Sequence, residues 1–140
     1  MADTPAILEA IYPVMRELRP KLTFSDYMSL VAAAKAHNGY ELIAMFDGTQ
    51  CVAAMGFRIL YDFVHGKHLY IDDLVVTASC RSKGTGAELL KYAERVARVK
   101  NCQGLRLCTG VDSKDAQRFY ERNLWKARAI AYKKTLLEQA

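Results

Sequence analysis

Between Asp72 and Leu90 the sequence DDLVVTASCRSKGTGAELL sets two carboxylates, an apolar run, a basic glycine turn and a helix-forming segment in direct succession. A loop passing from a strand into a helix leaves several backbone N–H groups unpaired and aims them, with the helix dipole, at one point. Such a point binds anions. Gly84 and Gly86 lack a Cβ and let the backbone close on a phosphate, while Arg81 and Lys83 add charge-assisted contacts. A diphosphate is the natural guest. The spacing excludes two nucleotide classes. Lys83 precedes Gly84 instead of following a glycine and leading into Ser or Thr, so a triphosphate-hydrolysing loop does not fit. Leu89 stands where a dinucleotide-binding turn needs its third small residue.

Asp72 and Asp73 interrupt the otherwise apolar run LYIDDLVVT, an interruption that is costly unless it is used. Strand alternation places the two carboxylates on opposite faces.

The elements that must hold these groups follow from periodicity. PAILEAIYPVMREL spaces Ile7, Leu8, Ile11, Val14, Met15 and Leu18 as one helical face, with Pro5 in the first turn and Pro20 closing it. TFSDYMSLVAAAKAHNG reads as a second helix, with Thr23 and Asp26 in capping-box spacing and Gly39 as a left-handed stop. The period then changes to two. YELIAMF, a turn at Asp47-Gly48 and CVAAMGFRIL predict a hairpin, YDFVHGKH a loop, and LYIDDLVVT a third strand. Leu89, Leu90, Ala93, Val96 and Ala97 form the apolar face of a helix after the glycine turn. LRLCTG predicts a strand, DAQRFYERN a short helix capped by Asp112 or Ser113, and WKARAIAYKKTL a final alternating strand. This order predicts an α+β fold in which helices flank a mixed sheet.

At 140 residues the chain is expected to form one domain, residues 1–140, with a core of its own. It has no run of about 18 consecutive apolar residues, and Asp3 and Glu9 stand where a secretory leader would be basic and then apolar. A cytoplasmic protein without membrane contact is expected. Cys51, Cys80, Cys102 and Cys108 lack paired metal-ligand spacing, so they read as reduced thiols and no metal site is expected. The net charge of +5 is interleaved with acids and apolar residues, which describes a solvated surface better than a nucleic-acid groove.

The run RSKGTGAELL resembles the acyl-CoA-binding motif of the GNAT superfamily of N-acyltransferases, with Arg81, Gly84 and Gly86 at the matching positions. LYIDDLVVT and AQRFYERNLW also resemble that superfamily, in the right order and at the right spacing. The resemblance implies a mixed, mostly antiparallel sheet flanked by helices, and acetyl-CoA as acyl donor. Members usually begin with a strand before the first helix, and here only MADT precedes it. That sheet edge is expected to be missing, and a homodimer contact is its expected cover.

Carried over residue by residue, the resemblance implies that the N–H groups of Arg81, Ser82, Lys83, Gly84, Thr85 and Gly86 cradle the diphosphate. Leu74, Val75 and Val76 would pair with the pantetheine arm in a splayed gap between LVVT and LRLCTG. Ser113 replaces the usual pantetheine-contacting Asn, and Asn123 occupies the usual glycine turn. Tyr120 would face the thioester sulfur; a phenol with pKa near about 10 can protonate a departing thiolate of about 8.5.

The expected reaction is transfer of acetyl to a primary amine of a small molecule, polyamine-like or other, by direct attack in a ternary complex. The alternatives are a catalytically silent CoA-binding sensor and a basic nucleic-acid-associated module. An ammonium of pKa about 10.4 must first lose a proton, which a carboxylate can accept. YIDD resembles the Tyr-Leu-Glu-Asp stretch of the spermidine/spermine acetyltransferases, which matches Asp72 to their proton-accepting Glu and gives Asp73 a structural part. Specificity is expected in the first two helices and in YDFVHGKH, with Tyr61, His65 and His68 as candidate lining.

Overall fold

A computed structural model describes residues 1–137. Two compact units are distinguished, Met1–Leu107 and Cys108–Ala140.

In the first unit, α1 (Pro5–Leu18) starts at Thr4, whose hydroxyl accepts the Ile7 N–H at 3.3 Å, with Pro5 in the position where its missing N–H costs nothing. Ile11, Val14 and Met15 of its apolar face are buried. Helix α2 (Phe24–Asn38) is capped by Thr23, which accepts the Asp26 N–H at 3.1 Å, and stops at Gly39 with φ 65°. Tyr27 and Val31 turn its inner side toward the core.

The sheet has the order β1-β2-β3-β4, comprising β1 (Glu41–Asp47), β2 (Gln50–Asp62), β3 (Gly66–Val76) and β4 (Gly104–Leu107). The first two pairings are antiparallel and β3–β4 is parallel. Helix α3 (Thr85–Val99) makes the β3–β4 crossover and packs on the sheet through Leu89, Leu90, Ala93 and Ala97. Ile11, Val14, Met15, Tyr27 and Val31 form one cluster with Leu42, Ala54 and Val75 on one face. Burial of each such aliphatic side chain stabilises the fold by about 1.5–3 kcal/mol. Ala53, Met55, Phe57, Leu69 and Ile71 alternate onto the other face and are also buried.

Among the described residues no strand precedes α1, as expected, and β1 is the edge of the sheet. The segment ahead of α1 contributes one backbone bond to that edge, from Ala2 N–H to Leu42 O at 2.8 Å.

Several local expectations are corrected. The first hairpin turns at Gly48-Thr49 between the paired Asp47 and Gln50, one residue later than the Asp-Gly reading, with Gly48 alone at positive φ. YDFVHGKH is mostly strand: β2 runs to Asp62, β3 begins at Gly66, and the His65 N–H bonds Asp62 Oδ1 at 2.6 Å across the tight link. His68 is therefore buried in the sheet, while Tyr61 is exposed.

In the second unit, α4 (Lys114–Arg122) begins at Ser113, whose side chain makes no capping bond. The positive φ at its end falls on Leu124 at 69°, not on Asn123 at −95°. The expected strand over residues 125–136 does not form. Alternation alone does not make a strand without a hydrogen-bonded neighbour, and Ile130, Tyr132 and Leu136 stay exposed.

Candidate active site

The basic glycine turn leads directly into α3, but the Arg81 N–H, expected among its free donors, is taken by Ala78 O at 3.4 Å. After a single 3-10 turn at Ala78–Cys80, Ser82 takes φ 66° and Gly84 φ 83°, and α3 opens with no side-chain cap. Among the described residues, nothing pairs with the N–H groups of residues 82–87; the first helical bond runs from Glu88 N–H to Gly84 O. Unpaired donors at a helix start, with Lys83 exposed beside them, make a site with the chemistry of an anion cradle. Arg81 is turned back instead, its Nε on Val76 O at 3.2 Å and its Nη2 3.9 Å from Glu17 Oε1. Glu17 of α1 also accepts the Thr77 hydroxyl at 2.7 Å and the Ala78 N–H at 3.0 Å, which ties the strand end to the helix layer.

β3 supplies the second feature. Its pairing with β4 ends at Ile71↔Leu107, so the stretch containing Leu74, Val75 and Val76 is paired to β2 along one edge and has no β4 partner along the other. An extended chain bearing amides fits such an edge.

At the same point β3 bulges. Phe57 pairs with Ile71 but Gly56 pairs with Asp73, leaving Asp72 as an extra residue. The expectation that Asp72 and Asp73 point to opposite faces is thereby corrected: the bulge resets the alternation and both carboxylates lie on the α1/α2 face. Their surroundings differ. Arg58 holds Asp72 through Nε at 2.9 and 3.1 Å and Nη2 at 2.8 Å. Asp73 is half-buried and accepts the Tyr40 hydroxyl at 2.8 Å on Oδ2. Burial raises the Asp73 pKa above its ordinary value, the Tyr40 hydrogen bond opposes that rise, and Asp72 adds to it. On the same face Arg106 stacks over the Tyr70 ring at 4.5 Å and lies 3.4 Å from His68 Nε2.

In the second unit, described by itself, Tyr120 on α4 is half-buried, with ring centroids 5.2 Å from Phe119 and 6.1 Å from Trp125. Burial raises its pKa, so the hydroxyl keeps its proton. Ser113 is exposed at the start of the same helix. Sequence reasoning missed Tyr40, Arg58 and Glu17. One local signal pointed toward Tyr40: Gly56, a glycine inside a strong strand run, marks a close approach.

Among the described residues, no group of His, Cys, Asp and Glu is placed to hold a metal, and no helix is long and apolar enough to cross a membrane.

Comparison with known proteins shows the family and the fold. Residues 5–124 match the family described as "Acetyltransferase (GNAT) family". The chain is 40% identical over 109 residues to an uncharacterized N-acetyltransferase, YhdJ, of Bacillus subtilis, covering 78% of this chain and 77% of that protein. It is 35% identical over 135 residues to an aminoalkylphosphonate N-acetyltransferase of Salmonella typhimurium, covering 96% and 86%. An aminoglycoside N-acetyltransferase solved in complex with CoA shares the fold, with TM-score 0.78, 17% identity and 92% and 89% coverage.

Proposed function

The chain belongs to the GNAT acetyltransferase family and uses acetyl-CoA as acyl donor, and we propose that it acetylates the primary amine of a small molecule by direct attack in a ternary complex. The observation that carries this reading is the half-buried Asp73 carboxylate at the β3 bulge, beside the stretch of β3 that β4 leaves unpaired. A carboxyl whose proton affinity is raised by burial is a better base toward an ammonium than a solvated one. Asp72, with both oxygens held by Arg58, is the weaker candidate and serves to orient the bulge.

Acetyl-CoA, when bound, supplies an acetyl thioester. The N–H groups of residues 82–87 and Lys83 would hold its diphosphate, and the free edge of residues 74–76 its pantetheine arm. Asp73 attracts the ammonium and accepts its proton. Tyr120, kept protonated by burial, donates to the departing sulfur. Ser113 replaces an amide side chain at the cofactor-facing position that the family motif gives it.

For the acceptor, aminoalkylphosphonates come first, because the relative matched over 96% of this chain bears that name. Arg106 adds a half-buried guanidinium with no carboxylate in ion-pair distance among the described residues, which suits an anionic group on the acceptor. Thiol release from acetyl-CoA, measured with aminoalkylphosphonates, polyamines and aminoglycosides, tests the reading. Turnover should be highest with an aminoalkylphosphonate. Tight acetyl-CoA binding without release on any amine would favour the silent CoA-binding sensor.

A further inference from the structure

One hydroxyl reaches the proposed base from across an entire strand. Tyr40 follows Gly39, the left-handed residue that ends α2, and stands at the head of β1 with its N–H on Ala34 O at 3.2 Å. Its side chain shares a face with Leu42, whose partner in β2 is Gly56, and Gly56 is in turn the partner of Asp73 in β3. The phenol therefore crosses β2 over Gly56. A Cβ at residue 56 would stand 1.8 Å from the Tyr40 hydroxyl oxygen and 2.3 Å from the ring carbon that bears it, so only glycine leaves the slot open. At the far side the hydroxyl donates to Asp73 Oδ2 at 2.8 Å.

We propose that Tyr40, seated in the slot left by Gly56, is a positioning residue that keeps Asp73 in its ionised, proton-accepting form and leaves Oδ1 for the incoming ammonium. The inference rests on Asp73 being the base. Tyr40 acts only as a donor, because burial, the negative charge of Asp73 and its hydrogen bond to Asp73 push the phenol far above its ordinary range.

Among the described residues, Asp73 feels Tyr40 from the segment before β1 through a hydrogen bond, and the charges of Asp72 beside it on β3, Arg19 at the end of α1 and Arg58 from β2. Burial and Asp72 favour the protonated acid, whereas Tyr40, Arg19 and Arg58 favour the carboxylate. Removing the hydroxyl leaves burial less opposed. Asp73 then takes up its proton at higher pH, and the base is lost sooner as the medium is acidified.

The test measures two quantities in wild type, Tyr40→Phe and Gly56→Ala: the pH dependence of kcat/KM for the amine, and the titration of the Asp73 carboxyl by carbon NMR without any substrate. Tyr40→Phe keeps the ring and deletes only the donor. Its acid limb and its carboxyl titration should both move up by about one pH unit, with activity above the limb within about threefold of wild type and the KM for acetyl-CoA unchanged. Gly56→Ala keeps the phenol but fills its slot, and should give the same displacement. A carboxyl titration unmoved in both variants overturns the role of Tyr40. A carboxyl that moves while the rate profile stays fixed overturns Asp73 as the base, and Tyr40 with it as a catalytic positioner.

Discussion

Arg58 grips both oxygens of Asp72 from the neighbouring strand, while the next carboxylate, Asp73, has no basic partner in ion-pair contact among the described residues and rests on a phenol. Two adjacent acids on one face are thus held in opposite ways: one is ion-paired with a fixed guanidinium, the other accepts a phenol hydrogen bond and has its pKa raised by burial.

Asp73→Asn should therefore lower amine turnover by about two to four decades and abolish the acid limb of the profile. Asp72→Asn should keep that limb and cost about 1–2 kcal/mol of stability, since it leaves Arg58 half-buried without its partner. The linkage has a definite sign. The folded pKa of Asp73 lies above its unfolded value, so its contribution to stability is fully present below the unfolded pKa and is lost as pH rises through the folded one. Asp73→Asn should flatten the stability curve in that window, and chemical denaturation at several pH values reads this directly.

Tyr120→Phe should reduce turnover by about one to three decades with acetyl-CoA affinity unchanged, because a proton donor acts mainly in the transition state. Single-turnover rates beside a binding isotherm separate the two. Full activity would remove Tyr120 from the chemistry.

Glu17→Ala should weaken acetyl-CoA binding about fivefold while leaving the Asp73 limb in place. Glu17 holds the Thr77 hydroxyl and the Ala78 N–H, and loosening them frees the segment that leads into the unpaired N–H groups. Calorimetric titration with CoA checks the affinity, and the pH profile checks that the base is untouched.

Leu124→Gly should raise the melting temperature by about 3 °C. Leu124 is 90% exposed yet holds φ 69°, so it loses little packing on replacement and sheds a left-handed strain of about 1 kcal/mol.

Helices α1, α2 and α3 and the glycine turn were legible because their determinants are local: an apolar period, Thr23 three residues before Asp26, Gly39 at a stop, Gly84 ahead of a helix. The bulge was not, because it exists only in the register between β2 and β3. The same holds for Tyr40 on Asp73, 33 residues apart, and for Glu17 on Thr77, 60 apart. Residues 125–136 show the converse. Their alternation was legible, but a pattern states which faces a strand would have and not whether a neighbour is there to pair with it.

The bulge also makes Asp72 a residue whose removal would leave the alternation of β3 intact, although Arg58 would lose its partner. Deleting an ordinary strand residue inverts every side chain beyond it, sending apolar groups to the wrong side. Deleting Asp72 instead heals the irregularity: Ile71 keeps its face, Asp73 keeps its own, and Leu74, Val75 and Val76 stay in step with Met55, Ala54 and Ala53. A shortened chain of this kind should still fold, carrying a flatter sheet, an unclaimed Arg58 and a single acid.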